Sequence, residues 1–137
     1  MARRPRPALR LRVPARPVSL GHVRARLDRF LARHRLDEDE RRDALLVVHE
    51  LAANAIEHGS AESDEVEIAI ALGPRSLLIR IGDPARSRAR PARLTPSPTR
   101  ESGRGMLIVD RLSSWREELR GGRRELTAEL PLRRRRP

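Results

Sequence analysis

Glu50 and Asn54 stand four residues apart in the stretch His49-Glu50-Leu51-Ala52-Ala53-Asn54-Ala55-Ile56-Glu57-His58-Gly59. If that stretch is helical, the carboxylate and the carboxamide lie one turn apart on the same face. An amide oxygen can hold a hard cation such as Mg²⁺, and a carboxylate can take a proton from an attacking hydroxyl. Glu57 continues their line and His58 sits at its edge. Ala44, Leu45, Val48, Leu51, Ala52, Ala55 and Ile56 share a broad apolar face, while Leu46, Val47 and Ala53 flank the polar line. A helix apolar nearly all round is buried on more than one side. Polar groups in such a place must be paired, so Glu50 and Asn54 are either a satisfied internal pair or a site.

Two further segments could join them. Asp83 follows Ile81-Gly82, where a side chain can leave the end of a strand and accept a hydrogen bond. Gly103-Arg104-Gly105 precedes Met106, Leu107, Val109 and Leu112, so it stands at the start of a helix. Glycines permit close approach of the backbone to an anion, and the free N–H groups of a helix start attract it. Taken singly, each is as well explained by a plain turn. In this order, with a long connection between the second and third, they form a more specific pattern.

Composition narrows the rest. At 137 residues the chain is expected to be one domain with a sizeable core. Cysteine is absent, which removes disulfides and thiolate metal sites and suits a cytoplasmic setting. No apolar run reaches a membrane span and no apolar stretch follows the basic N-terminus, so neither a span nor a secretory signal is expected. The net charge of +11 is carried by arginine alone, for all 30 basic residues are arginine. Those charges gather at Arg3 to Arg16, at Arg133 to Arg136 and between Arg86 and Arg100. Basic tails at about 1–8 and 133–137 then account for nonspecific polyanion affinity. With Phe30 and Trp115 the only aromatic residues, a stacking platform for single-stranded nucleic acid is missing.

The elements that must position these groups follow in order. Leu9, Leu11 and Val13 alternate as a short strand closed by Pro14 and Pro17. Ser19 is placed to cap a helix through Val23, Leu27, Phe30 and Leu31 to about His34. Asp37 or Asp39 opens the long second helix, which Gly59 ends. Val66 to Leu72 and Leu77 to Ile81 form an antiparallel pair about the Gly73-Pro74-Arg75 turn. Periodicity is lost from Pro84 to Ser102. After the third helix, Trp115 to Leu119 and Leu126 to Leu130 form two strands joined at Gly121-Gly122. This order predicts an α+β fold, a two-layer sandwich with helices on one face of a mostly antiparallel sheet.

"HELAANAIEHG", "IGDPAR" and "SGRGMLIVDRL", followed by a tryptophan, a glycine turn and a strand ending "AELP", resemble the GHKL ATPase superfamily with its Bergerat fold. The resemblance spans roughly Leu9 to Leu132 and is nearest to stand-alone anti-sigma-factor serine/threonine kinases. It implies ATP and Mg²⁺ as cofactors, with Asn54 holding the metal and Glu50 as general base. It further implies that Asp83 accepts from the adenine amine and that His58 lies beside the nucleotide. Gly103, Arg104, Gly105 and Met106 would form the phosphate-binding helix start, and Pro84 to Ser102 the lid. The implied function is phosphorylation of an anti-sigma-factor antagonist and sequestration of a sigma factor, in a cytoplasmic homodimer. No membrane or specific nucleic-acid partner is expected. A non-catalytic partner-switching module is the alternative. Two departures bear on that choice: Asp83-Pro84-Ala85-Arg86 replaces the DxGxG pattern, and Arg123-Arg124-Glu125-Leu126 stands where a glycine–threonine pair would precede the last strand, leaving open whether Thr127 substitutes.

Overall fold

The computed structural model describes residues 6–85 and 101–133. Strand β1 (Ala8–Pro14) leads to helices α1 (Ser19–Arg33) and α2 (Glu38–His58). Strands β2 (Glu65–Leu72) and β3 (Ser76–Asp83) follow, then α3 (Glu101–Leu112), β4 (Ser114–Arg120) and β5 (Arg123–Pro131). The strands form a five-stranded sheet in the order β1-β2-β3-β5-β4, with every neighbouring pair antiparallel. The expected α+β sandwich is what the chain adopts.

Period-two alternation explains the sheet. Leu11 and Val13 of β1 lie opposite Ile68 and Val66 of β2, and Ile68 and Ile70 lie opposite Ile81 and Ile79 of β3. Those side chains pack beneath the helices together with Leu126, Ala128 and Leu130 of β5. Thr127 alternates with Leu126 and Ala128 and therefore leaves the opposite face of the sheet. It cannot stand in for a threonine on the helical side. The turn between β4 and β5 uses Gly121 and Gly122 at φ 56° and 79°, a region open to glycine at little cost.

α2 packs against α1, α3 and the sheet together. Val47, Val48, Leu51, Ala52 and Ala55 are almost wholly buried, as the apolar face implies, whereas Leu46 on the expected apolar flank is exposed and Ala53 half-buried. At about 1.5–3 kcal/mol for each fully buried Val or Leu, this helix anchors the core.

Helix boundaries show where local signals compete. Asp37 rather than Asp39 caps α2, accepting from Glu40 N at 2.8 Å while Glu40 Oε1 accepts from Asp37 N at 3.1 Å. Ser19 is not the cap of α1. It is the first helical residue, and its hydroxyl donates to Pro14 O at 2.7 Å, tying the helix to the end of β1. α3 begins at Glu101, so Gly103-Arg104-Gly105 lies inside the first two turns rather than at the opening. The expected lid at Pro84 to Ser102 falls mostly outside the described residues.

The tail boundary at 133 also needs correcting. Arg133 N donates to Glu40 Oε2 at 2.9 Å, and its guanidinium lies 3.5 Å from Asp37. Pro7 O likewise accepts from Leu72 N at 2.9 Å, extending the β1 edge. Glu40 thus serves a local cap and a tertiary clasp at once. Asp37→Ala should lower the unfolding free energy by about 1 kcal/mol, as lost N-caps do. Glu40→Ala removes both the reciprocal cap and the Arg133 bond, and urea denaturation should show the larger loss.

Candidate active site

α2 and α3 border an open cavity of about 520 Å³. Glu50, Asn54, Glu57 and His58 of α2 face it from one side, and Arg104 and Gly105 of α3 from the other. The helical register that puts Glu50 and Asn54 one turn apart is therefore turned toward α3, and the two residues meet in one site. Asn54 is only 4% exposed. Its Nδ2 donates to Glu50 O at 3.1 Å and to Met106 Sδ at 3.2 Å. The nitrogen is thereby engaged within the protein, and the amide oxygen is the atom of this side chain suited to a cation. His58 Nε2 lies 3.7 Å from Glu57 Oε2 at the cavity edge.

Two residues of α3, Met106 and Gly105, take different parts from those expected. Met106 is fully buried and does not line the cavity; its sulfur orients Asn54. Gly105 is not at a helix start with a free N–H, because α3 begins four residues earlier. Its lack of a side chain matters for another reason: a Cβ there would overlap Glu50 Oε2. The carboxylate lies directly over the α3 backbone. Gly103 belongs to the first turn of the helix, and Arg104 is exposed at the rim.

Asp83 is the final residue of β3 and is 0% exposed, so it neither leaves the sheet toward solvent nor lines the cavity. Its Oδ1 accepts from Ala85 N at 2.8 Å. Its Oδ2 accepts from Arg124 Nε at 2.9 Å, and Arg124 Nη2 lies 2.7 Å from the same oxygen as an ion pair. Asp83 and Arg124 are directly opposed across β3 and β5, and only 9% of the Arg124 side chain is exposed. Arg124 Nη2 also reaches Asn54 O at 3.4 Å, which joins this pair to the cavity wall. Sequence reasoning marked Arg124 only as a departure and missed its role. An arginine two residues before Leu126 shares the inward face of β5, and that parity was the available signal.

Two backbone features surround the pair. Gly59 ends α2 at φ −103°, so the left-handed freedom of glycine is not what this position uses. A Cβ there would instead overlap the Asp83 carboxylate. Ala85 does take a left-handed φ of 57°, where the DxGxG pattern would place its first glycine. The bond from Ala85 N to Asp83 holds that conformation despite a cost of order 1 kcal/mol.

Glu117 of β4 sits opposite Leu126 and is half-buried near the same cluster. Burial raises its carboxyl above the ordinary value of 4.5, against the lowering effect of Arg124 and with a further push from Asp83. A carboxyl raised by folding favours the native state while protonated, and that contribution is lost as pH climbs through the raised value. Glu117→Gln should therefore be more stable than the parent near neutral pH, with the gain shrinking toward about pH 4. Thermal unfolding across that range checks the sign.

The two glycines make a second, paired test. In Gly59→Ala the new methyl meets a fully buried carboxylate held by Arg124, and a stability loss of about 1–3 kcal/mol is expected. In Gly105→Ala it meets the end of a movable Glu50 side chain. That variant should fold but carry a displaced carboxylate. Equal melting temperatures for the two would contradict the assignment.

A sequence model described as the histidine kinase-like ATPase domain matches residues 13–128. Among solved structures, the chain is similar to the RsbU and RsbW domains of Rv1364c from Mycobacterium tuberculosis. That match has TM-score 0.63 and 22% identity over 95% of this chain, which spans 34% of the length of that one. It is also similar to the SiaB–SiaC complex from Pseudomonas aeruginosa, with TM-score 0.70 and 17% identity over 89% of this chain and 88% of that one. No protein of curated function matches the chain in sequence. At these identities the structural likeness establishes the fold, while the sequence match over most of the chain establishes descent: the protein belongs to the histidine kinase-like ATPase domain family, as its GHKL-like motifs imply.

Proposed function

We propose that this chain is a Mg-ATP-dependent serine/threonine protein kinase of the partner-switching kind, acting on an anti-sigma-factor antagonist and holding a sigma factor when free of it. The observation that carries the reading is the meeting of Glu50 and Asn54 with the Gly105 segment of α3 across one cavity. Family membership supports ATP as the ligand, and the solved SiaB–SiaC complex supports a protein partner.

The residues at this end suit a metal-bound phosphate chain. Among the described residues no group of three or more His, Cys, Asp or Glu could hold a metal. A single amide oxygen completed by phosphate oxygens and water is a usual magnesium arrangement. Bound Mg-ATP would supply the transferable phosphoryl group. Asn54 would hold the metal through its amide oxygen, steadied by Met106 and the Glu50 carbonyl. Glu50 would accept the proton of the attacking hydroxyl at its carboxylate. Arg104, exposed at the rim, is placed to offset phosphate charge, and His58 to border the nucleotide. Phosphoryl transfer depends on such positioning and charge neutralisation more than on covalent chemistry by the protein.

The non-catalytic module remains the second reading, and one observation favours it: Asp83 is already sealed by Arg124. We also propose a cytoplasmic homodimer. No described helix is long and apolar enough to cross a membrane.

Incubating the protein with labelled ATP, Mg²⁺ and candidate antagonists separates the readings. Glu50→Gln should bind Mg-ATP nearly as well as the parent and transfer phosphate about 10²–10⁴-fold more slowly. Asn54→Ala should instead lose Mg-dependent ATP affinity itself. Full transfer by Glu50→Gln would refute the base assignment, and a parent that transfers to no antagonist would leave the binding module.

A further inference from the structure

The site has two ends with opposite character. At one, Glu50, Asn54, Arg104 and Gly105 border an open cavity. At the other, Asp83 is fully enclosed. Gly59 lies against its carboxylate, Ala85 N donates to one oxygen, and Arg124 donates to the other through Nε while its Nη2 pairs with it at 2.7 Å. Arg124 is held in turn by the Asn54 carbonyl, and its cross-strand register fixes it beside Asp83.

We propose that Arg124 is the specificity-determining residue of this site: it seals Asp83 against the base, so the chain takes nucleoside triphosphates by their metal-bound phosphates without distinguishing a 6-amino from a 6-oxo purine. This rests on the nucleotide reading above. A base amine is a neutral donor, whereas the guanidinium makes a charge-assisted bond, roughly twice as strong as a neutral one, and an ion pair on the same oxygen. Exchanging the second for the first would also leave a buried cation without its partner. Asp83 therefore offers an entering base nothing while Arg124 stays. Recognition falls to Asn54 and the segment around Gly105, which meet features common to all nucleoside triphosphates.

The experiment is calorimetric titration of the full chain with Mg-ATP, Mg-GTP and magnesium tripolyphosphate, for the parent and for Arg124→Thr. The parent should bind ATP and GTP with affinities within about threefold, since a site discriminates strongly only through polar groups aimed at the differing atoms. Arg124→Thr should shift the ATP-to-GTP ratio about tenfold or more toward ATP, leaving tripolyphosphate unchanged. Arg124→Gln keeps an N–H for Asp83 without the charge and should shift it less; it also serves where the threonine variant fails to fold. A parent that already prefers ATP about tenfold overturns the inference, as does a ratio that neither variant moves. In both cases nucleotides bind and only the role of Arg124 falls. Binding of none of the three ligands by any variant would instead refute the nucleotide reading, and this inference with it.

Discussion

Helix α2 is the most shared element of the core, because α1, α3 and the sheet each pack against a side of it. On its packed sides such a helix can carry polar side chains only where a neighbour leaves room or offers a partner. The room lies along the α3 side, where Gly105 lacks the methyl that would strike Glu50. The partner is there too, since Met106 takes the Asn54 nitrogen. Packing and chemistry are thus one constraint: the contact that buries α2 against α3 is also what presents a carboxylate and an amide to the same cavity.

The second organising contact is electrostatic. Asp83 and Arg124 lie at the ends of neighbouring strands, and each would be costly alone in the interior. Together they join β3, β5 and the last turn of α2 through Asn54 O and Gly59. Glu117 feels both charges from β4. Of the two ends of the site, the one next to α3 is open and hydrophilic, while the one next to β5 has filled itself. Family membership implies nucleotide binding, and this asymmetry indicates which part of a nucleotide such a site would grip.

Glycine positions carry a related lesson. Gly59 reads from the sequence as a helix terminator, and it does end α2. Its backbone, however, is one that any residue can adopt. The position is restricted by a carboxylate arriving from 24 residues further along the chain. Ala85 is the converse, a left-handed residue that is not glycine, stabilised by a side chain two positions earlier. Local conformational preference explains neither.

Periodicity by itself determined the helices, the strands, their antiparallel order and the two-sided burial of α2, because those depend on which residues repeat at 3.6 or 2 along the chain. Motif spacing was enough to bring Glu50, Asn54 and Gly105 to one site. Only the tertiary structure decided that Met106 supports rather than lines the site, that Gly105 clears space for Glu50, and that Arg133 belongs to the fold. It also decided that Arg124 occupies Asp83. The reason is common to all four: each depends on which atoms meet across elements brought together by folding. A linear pattern records a residue's own face and period, but not the distance to a group 41 positions away.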